Sequence, residues 1–353
     1  MTKLAILADS IPWFGRHSGY EQIAYHLPSL LPETAVTWSK TTLNQIRLGK
    51  LYARLQGLAE REDTVYAAAE WRYRLKRWQT GPQLSHILYG EGHHHFLRQW
   101  EQVPPNIIAT LHHPPEQWAD WQSAMLKNIG RLSSAIVLYK RDLAQFEALV
   151  GKGRVCFIRH GVDADFFRPG DEAKAIPPRL LYVGQNGRNT DMLFRVVTQL
   201  SQQHPDLRFD FIVRSTIRQR YEGLRRLSNH PAIQWHEGLS DVALRTLYQQ
   251  NTLLLLPMSV CGAANAIVEA LACGLPIVTT DVGGMADYGG GTVYPLVAND
   301  DDRAMIALVE RYLSDFQWRK EISVACRQFA LDKLNWPQIA QAHLLAYQHL
   351  GAN

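Results

Sequence analysis

The sequence has few cysteines, a small charge surplus and no long apolar run, and each shortage excludes a class of protein. Its 353 residues include only four cysteines with no C-x-x-C pair, which excludes a disulfide scaffold and predicts reduced thiols in a cytoplasmic protein. The net charge of +4 is too small to indicate nucleic-acid binding. Apolar runs of strand length fall far short of a membrane span or a signal-sequence core.

Short apolar runs alternate with helical patterns along the chain. The runs are Leu4–Ala8, Ala35–Trp38, Ile87–Tyr89, Ile107–Leu111, Ala135–Tyr139, Val155–Ile158, Leu180–Val183, Phe209–Val213, Ile233–Trp235, Leu253–Leu256 and Pro276–Thr279. Such alternation is typical of parallel sheets with helices on both faces. Because ten or more strands are too many for one compact sheet of this topology, we predict an α/β protein with two Rossmann-like, doubly wound domains.

A polar segment bracketed by prolines, Pro169 to Pro178, lies near the midpoint and has the composition of a linker. It divides the chain into predicted domains at 1–168 and 178–335. Ligands of open parallel sheets bind beyond the carboxyl ends of the strands, so two such domains are expected to face each other across a ligand-binding cleft.

The most informative local pattern runs from Pro257 to Asp281. Gly262, Ala263 and Ala264 form a tight turn, and a helix follows from Asn265. A small-residue turn that leads into a helix N-terminus is a candidate anion site, because N–H groups and the helix dipole point at it. Glu269, about one turn later, is near enough to bond a pair of ligand hydroxyls. The alternative is a solvated glutamate beside a structural turn.

Two further glycine-containing loops follow predicted strands. The loop after the first strand carries Gly15 and Gly19, which allow close approach of the backbone to a phosphate. The loop after Val183 carries Arg188, whose guanidinium group suits phosphate oxygens. Taken alone, the first loop is equally well explained as an ordinary βα loop, and Arg188 as an ordinary surface arginine.

Three segments together carry a specific resemblance. His160-Gly-Val-Asp163-x-x-Phe166-Phe-Arg-Pro169 resembles the signature that ends the first domain of retaining GT-B glycosyltransferases of family 4 (glycosyl transferases group 1). The stretch from Asn265 through Glu269 to Pro276 is similar to that family's donor motif. Trp336 to Tyr347 resembles its closing helix. The resemblance implies a GT-B fold in which residues 336–353 cross back onto an acceptor-side first domain.

The resemblance also implies roles for individual residues. Glu269 would bind the ribose hydroxyls, and Arg188 would hold the phosphates. Thr110-Leu-His112 is similar to a T-x-H motif whose histidine lies near the donor sugar, so His112, Arg188 and Glu269 are the predicted catalytic residues. The diphosphate and donor sugar would be held by the backbone of Gly262, Ala263, Ala264 and Asn265, with Gly15 and Gly19 approaching from the other domain.

The sequence departs from the family pattern at three positions. Cys261 stands where the donor motif has its first glutamate, which leaves the donor sugar open. Gln185 replaces the usual arginine of the V-G-R turn. Arg214-Ser215 replaces a common Gly-x-Gly turn, so Arg214 or Arg188 is our candidate for the missing cation.

The predicted function is retaining transfer of a hexose from a UDP- or GDP-sugar. The acceptor would be a glycan or lipid-linked sugar in envelope polysaccharide, lipopolysaccharide or glycolipid synthesis. The resemblance implies that no metal and no cofactor is needed. A nucleotide-sugar 2-epimerase and a nucleotide-sugar-binding protein without turnover are the alternatives. A dinucleotide dehydrogenase is disfavoured because no G-x-G-x-x-G motif with a downstream acidic residue is present.

Two other features suggest partners. The adjacent histidines His93 to His95 cannot all face one metal ion on a regular element, so a metal site is disfavoured. Trp71, Leu75 and Trp78 share one face of a predicted helix whose other positions are basic. Residues 71–78 are therefore a candidate contact with an anionic membrane, which would place the protein peripherally on its inner face. The alternatives are a domain helix with its aromatic face in the core and its basic face in water, or a surface for an anionic acceptor such as a phosphorylated lipid or an acidic glycan.

Overall fold

The computed structural model describes residues 3–11, 14–39, 42–55, 57, 64–121, 123–170 and 177–350. They form two compact units. The first comprises the described residues of Met1–Phe14, Gly19–Arg159 and Trp336–Asn353, and the second comprises those of Gly15–Ser18 and His160–Asn335. Each unit contains one six-stranded sheet in which every pair of neighbouring strands is parallel.

The first unit has the strand order β2-β1-β3-β4-β5-β6. Its strands are β1 Leu4–Asp9, β2 Thr34–Ser39, β3 Leu84–Ile87, β4 Ile107–Leu111, β5 Ala135–Val137 and β6 Val155–Phe157. Its helices are α1 Ile23–Leu30, α2 Leu43–Leu55, α3 Thr64–Thr80, α4 His94–Leu97, α5 Ser123–Ile129, α6 Leu143–Val150 and, from the end of the chain, α14 Trp336–Leu350, with 3₁₀ turns at Tyr20–Gln22 and Pro115–Asp120.

Burial explains both the central strands and one wrong prediction in this unit. All residues of β1 and β4 are buried, as expected for parallel strands covered on both faces. The third strand was predicted at Ile87–Tyr89 but occupies Leu84–Ile87. Its middle residues, Ser85 and His86, are polar and completely buried, so the predicted apolar run begins only at Ile87, the last residue of the strand.

The second unit has the strand order β12-β11-β10-β7-β8-β9. Its strands are β7 Arg179–Val183, β8 Arg208–Ile212, β9 Ile233–His236, β10 Leu253–Leu256, β11 Ile277–Thr280 and β12 Leu296–Val297. Its helices are α7 Thr190–Gln203, α8 Ser215–Arg218, α9 Glu222–Leu227, α10 Asp241–Gln250, α11 Asn265–Ala272, α12 Asp302–Ser314 and α13 Phe316–Lys333, with a 3₁₀ turn at Gly283–Tyr288.

Side-chain caps begin several of these helices, whereas α11 is held by burial. Asn189, Ser240 and Asp301 accept backbone N–H bonds at the starts of α7, α10 and α12. In α11 every residue after Asn265 is buried. The helix ends at Ala272, and Gly274, two residues later, has φ of 61°, the left-handed conformation expected of a glycine that follows a helix.

The division between the units corrects the predicted domain boundary. Residues 160–168, assigned to domain 1–168, belong to the second unit. Val162 and Phe167 are buried in that unit's core, and the Val162 N–H donates to Leu334 O at 2.8 Å. Of the predicted linker, residues 171–176 lie outside the described residues. Residues 351–353 of the predicted closing helix also do, while α14 itself belongs to the first unit.

All four cysteines carry free thiols. Within the described ranges, the helices are too short or too polar for any of them to cross a membrane.

Candidate functional site

The second sheet changes its winding direction between β7 and β10. From β7 the chain adds β8 and β9 on one side, then returns to add β10, β11 and β12 on the other. Open sheets of this kind bind ligands outside the carboxyl ends of the strands at this point. Here the loops after β7 and β10 are joined by the Asn189 N–H bond to Pro257 O at 3.0 Å and the Ser259 N–H bond to Gly187 O at 2.9 Å.

Two glycines allow the chain around Cys261 to pack closely against its neighbours. Gly187 has φ of 66°, and a Cβ there would lie 2.1 Å from Val260 O. Gly283 has φ of 47°, and a Cβ there would lie 1.7 Å from Cys261 O. Because larger residues would collide with backbone at both positions, these glycines fix the turn that precedes α11. Burial raises the pKa of the Cys261 thiol to about 11, so this residue is a neutral thiol at physiological pH.

The predicted anion-binding turn lies directly after this segment. Gly262 and Ala264 are buried, Ala263 and Asn265 are half-buried, and α11 begins at Asn265. Ala264, the N-cap of α11, provides no side-chain hydrogen bond. The positive end of the α11 dipole is therefore not covered by a capping side chain, as an anion site at a helix N-terminus requires. The diphosphate role of these four residues stays a prediction.

Glu269 is buried in α11 and both of its carboxylate oxygens accept hydrogen bonds. Tyr248 Oη donates to Oε2 at 2.8 Å and Ser18 Oγ donates to Oε1 at 2.7 Å. Burial raises the pKa of Glu269, while these two bonds oppose the shift. Both carboxylate oxygens therefore have protein hydroxyl partners, and the ribose-binding role of Glu269 stays a prediction.

Each of residues 15–18 contacts another part of the second unit, to which this segment belongs. A Cβ on Gly15 would lie 1.4 Å from Asp241 Oδ1, and the Arg16 N–H donates to Asp241 Oδ2 at 2.8 Å. His17 Nδ1 lies 2.6 Å from Asp163 Oδ2. A side chain at position 15 would displace the Asp241 carboxylate, and the close approach of Gly15 to a ligand stays a prediction. Gly19, with φ of 96°, is the point at which the chain leaves this segment.

The two candidate arginines differ in their surroundings. Arg188 Nε and Nη2 donate to Val183 O at 3.1 and 2.9 Å, and Nη1 donates to Asn186 O at 2.8 Å. Its guanidinium group is thus folded onto the carbonyls of its own loop. Arg214 is exposed at the start of α8. Their phosphate-binding roles stay predictions, and for Arg188 the side chain must exchange carbonyl partners for phosphate oxygens.

His112 lies in the first unit, at the carboxyl end of β4. Its Nε2 lies 2.7 Å from Leu88 O, its N–H donates to Glu91 Oε1 at 2.6 Å, and its ring stacks on Tyr89 at 4.5 Å. Burial lowers the pKa of His112 and the carboxylate of Glu91 opposes the shift. These three contacts fix the orientation of a neutral imidazole, which can then orient a ligand. The position of His112 near a donor sugar stays a prediction.

Sequence reasoning missed two buried polar networks in the first unit. In one, His93 bridges Asp9 and Glu70. In the other, Thr110 Oγ1 contacts both His86 and Tyr20; His86 Nδ1 contacts Tyr347 Oη, and Tyr20 Oη lies 2.8 Å from His343 Nε2. The only feature of the sequence that pointed to these networks is its high density of histidine, for which a metal site was considered above and disfavoured. His94 instead contacts Asn128, so neighbouring histidines have different partners.

The comparisons with known proteins agree with the architecture of the second unit. Residues 177–315 match the sequence model of the family described as glycosyl transferases group 1. The matched segment contains β7 to β12, Arg188, Glu269 and the turn between them. The predicted resemblance to glycosyl transferases group 1 is therefore confirmed over this segment, which we call the glycosyl transferases group 1 domain.

The curated relatives match about half of each protein. D-inositol 3-phosphate glycosyltransferase 2 of Catenulispora acidiphila is 28% identical over 208 residues, covering 53% of this chain and 47% of the relative. The chain therefore spans about half the length of the curated relatives it matches, and its second half carries the glycosyl transferases group 1 domain.

Solved structures match nearly the whole chain. Sucrose-phosphate synthase from Thermosynechococcus elongatus aligns with a TM-score of 0.78 at 18% identity, covering 99% of this chain and 100% of that one. Anabaena HepE, solved in complex with UDP-glucose, aligns with a TM-score of 0.69 at 13% identity, covering 97% and 99%. At these identities the likeness shows the fold, and the predicted GT-B class is confirmed.

Proposed function

We propose that this chain transfers a hexose from a UDP- or GDP-sugar with retention of the anomeric configuration and without a metal ion. The observation that carries the proposal is the meeting of the Arg188 and Met258 loops at the switch point of the second sheet, inside the glycosyl transferases group 1 domain, with Glu269 one turn into α11. The helix N-terminus and the guanidinium group would bind the diphosphate, and the buried carboxylate would bind the ribose hydroxyls.

The reaction requires stabilisation of a departing diphosphate. The anomeric C–O bond to the diphosphate breaks, the acceptor oxygen bonds to the anomeric carbon on the same face, and the acceptor proton passes to a diphosphate oxygen. Arg188 and the N–H groups at the start of α11 would stabilise the negative charge that builds on the leaving group. Glu269 would fix the nucleoside so that the reacting atoms are aligned.

A thermal-shift screen tests the donor half of this proposal. UDP, GDP and ADP, each free and as its glucose or mannose conjugate, are added at 1 mM; a specific ligand stabilises the folded state by about 2.7 kcal/mol when present at 100 times its Kd. We expect one nucleobase series to raise the melting temperature by several degrees. No shift with any nucleotide would contradict the proposal. Binding without hydrolysis or transfer would favour a non-catalytic binding protein, for which Cys261 is the motivating departure.

For the acceptor we propose a glycan or lipid-linked sugar in cell-envelope synthesis, with peripheral contact on the inner face of the membrane. The structure changes which residues support that contact. In α3, Arg72 donates to Trp38 O at 2.9 Å, Lys76 donates to Val36 O at 3.2 Å, and Arg74 lies over the rings of Tyr52 and Phe96. These three cations are therefore bound to the protein itself.

The exposed face of α2 is the better candidate for this contact. Leucine side chains on it are 52 to 77% exposed, and exposed cations alternate with them at helical spacing. The residues are Leu43, Arg47, Lys50, Leu51, Arg54 and Leu55. A helix that presents leucines and cations on one side binds an anionic bilayer through both the hydrophobic effect and charge. We therefore propose that α2, rather than residues 71–78, contacts the membrane.

Charge reversal distinguishes the two surfaces. Changing Arg47, Lys50 and Arg54 together to glutamate is expected to lower partitioning onto phosphatidylglycerol vesicles by about a hundredfold, since each cation contributes about 1 kcal/mol near an anionic surface. Vesicle co-sedimentation measures this. Reversal of three exposed lysines elsewhere, Lys152, Lys320 and Lys333, is the matched control. Equal loss in both triple variants, or equal binding to neutral vesicles, would contradict a specific role for α2.

A further inference from the structure

Three buried carboxylates lie near the switch point of the first sheet. β1 pairs with β2 on one side and β3 on the other. Asp9 ends β1, Glu91 follows β3, and Glu21 lies in the 3₁₀ turn after the first loop. Each is at most 6% exposed. We call Asp9, Glu21 and Glu91 the carboxylate cluster. It occupies the end of the sheet where open α/β sheets bind ligands.

Within the described part of the chain, none of these three carboxylates is paired with lysine or arginine. Glu91 accepts the backbone N–H groups of His112 and His113 at 2.6 and 2.9 Å. Glu21 accepts the hydroxyl of Tyr89 at 2.7 Å. Among the residues that the structure describes, the Asp9 carboxylate hydrogen-bonds only to the imidazole of His93. Burial raises the pKa of Glu21 to about 7, so above this pH the cluster presents negative charge that is only partly compensated.

One carboxylate oxygen of Asp9 has no hydrogen-bond partner among the residues that the structure describes. Its Oδ1 lies 3.0 Å from His93 Nε2, and His93 Nδ1 lies 3.1 Å from Glu70 Oε1. Burial alone would lower the pKa of His93, but the two carboxylates outweigh it and raise the pKa to about 9. His93 is therefore an imidazolium that donates to both carboxylates and fixes Asp9. The Asp9 Oδ2 atom is buried with no partner, which costs roughly 1–3 kcal/mol until a donor is supplied.

The neighbouring groups indicate which donor would fit. Gly19, with φ of 96°, leaves room for the Glu21 carboxylate, because a Cβ there would lie 2.3 Å from Glu21 Oε2. The Tyr89 ring is stacked on His112 and edge-on to Tyr20. Carboxylates beside aromatic rings suit a carbohydrate, whose hydroxyls donate hydrogen bonds and whose C–H faces pack on rings. A phosphate dianion would instead meet like charge.

We propose that Asp9 and Glu21 bind hydroxyl groups of an uncharged sugar or polyol acceptor at the switch point of the first sheet, and that they exclude acceptors phosphorylated on the part bound there. The proposal rests on the proposed transferase function and adds the acceptor's chemical class. It sets this chain apart from the relatives and structural neighbours whose names specify a phosphate, D-inositol 3-phosphate glycosyltransferase and sucrose-phosphate synthase.

Matched acceptor pairs test the inference. With the donor found by thermal shift, transfer to glucose, fructose and myo-inositol is compared with transfer to glucose 6-phosphate, fructose 6-phosphate and inositol 3-phosphate, with products identified by mass spectrometry. We expect kcat/KM to be at least tenfold higher for the neutral member of a pair. Equal or greater kcat/KM for the phosphorylated member would overturn the inference. So would the absence of transfer to every neutral member together with no saturation-transfer NMR signal from any of them.

Variants assign the effect to the cluster. Asp9→Asn is expected to raise KM for the neutral acceptor at least tenfold, with kcat reduced less and the donor Kd unchanged. Glu21→Gln preserves the shape of the side chain and can still accept from Tyr89. It is expected to lower the ratio of kcat/KM for the neutral acceptor to kcat/KM for the phosphorylated acceptor at least threefold. Glu33→Gln is the matched control, because Glu33 is an exposed carboxylate whose main chain pairs with Leu4 at the opposite end of β1. If Glu21→Gln left the preference unchanged, or if Glu33→Gln shifted it equally, the inference would fail.

Donor binding separates failure of this inference from failure of the proposed function. The donor residues Arg188 and Glu269 lie in the second unit, and the carboxylate cluster lies in the first. A protein that binds a nucleotide sugar and transfers it to a phosphorylated acceptor keeps the proposed function and loses the inference. A protein that binds no nucleotide loses both.

Discussion

Glu269→Gln is expected to weaken binding of the donor nucleotide by about 10- to 100-fold while the second unit stays folded. A hydrogen bond to a charged group contributes about 1.5–3 kcal/mol, and each 1.4 kcal/mol is tenfold in affinity. Glutamine keeps an oxygen that can accept from Ser18 and an amide that can donate to Tyr248 Oη, so the buried site remains satisfied. Isothermal titration at pH 8 is the appropriate measurement, because burial raises the pKa of Glu269 and the carboxylate must be ionised.

Two comparisons make this result specific. Glu310→Gln removes the same charge from a partly exposed position on α12 and should leave the Kd within twofold. The affinity for the corresponding 2′-deoxynucleotide should already be low in the parent protein and fall little further in Glu269→Gln, because the lost partner is a ribose hydroxyl. If Glu269→Gln reduced affinity for both nucleotides equally, Glu269 would support the fold of the site rather than contact ribose.

The strands that could be predicted from the sequence are those whose side chains are apolar and buried on both faces of the sheet. β4 and β10 have the predicted bounds, and β1 is one residue longer than predicted. β3 was misplaced because its middle residues, Ser85 and His86, are polar. His86 is buried there with Thr110 and Tyr347 as partners, and these come from other segments. β12 has two residues and gives no periodicity to read.

The domain boundary shows a similar limit. Proline and polar residues near 169–178 marked a linker by composition, but the units divide at Arg159 and His160. What decides the division is packing, since Val162 and Phe167 are in the second core although the sequence around them continues from the first unit. The assignment of residues 15–18 to the second unit likewise depends on contacts to Asp163, Asp241 and Glu269, which lie more than 140 positions away.

The candidate site was predicted only where its parts are contiguous. The turn at 262–264, the start of α11 and Glu269 lie in one segment, so turn chemistry and helix capping located them. The partners of Glu269 could not be read, because Ser18 and Tyr248 come from other parts of the chain. The same holds for Asp9, His93 and Glu70, which come from a strand, a loop and a helix.

His343 is expected to destabilise the first unit in mild acid. Its Nδ1 lies 2.7 Å from Ile339 O and its Nε2 lies 2.8 Å from Tyr20 Oη, so the neutral ring donates to one and accepts from the other. The rings of His86, Tyr347 and Tyr20 surround it. Burial lowers the pKa of His343 from 6.5 to about 4. An unfolded chain therefore takes up this proton at a higher pH than the folded chain does.

The stabilising contribution of His343 is accordingly complete above pH 6.5 and is lost as the pH falls toward 4. At 1.36 kcal/mol per pH unit, this histidine alone is expected to lower the free energy of unfolding by about 2 kcal/mol between pH 7.5 and pH 5. Burial also lowers the pKa of His86, which adds in the same direction, whereas burial raises the pKa of Glu21 to about 7, which acts in the opposite direction. Hydrogen exchange of peptides covering β3 and β4 measures this for the first unit alone, which a two-unit chain requires. His343→Gln should change the free energy difference between pH 7.5 and pH 5 by about 2 kcal/mol, whereas His113→Gln, an exposed control, should leave that difference unchanged. An unchanged slope in His343→Gln would show that another group controls the acid response, because a residue that cannot titrate cannot carry the linkage.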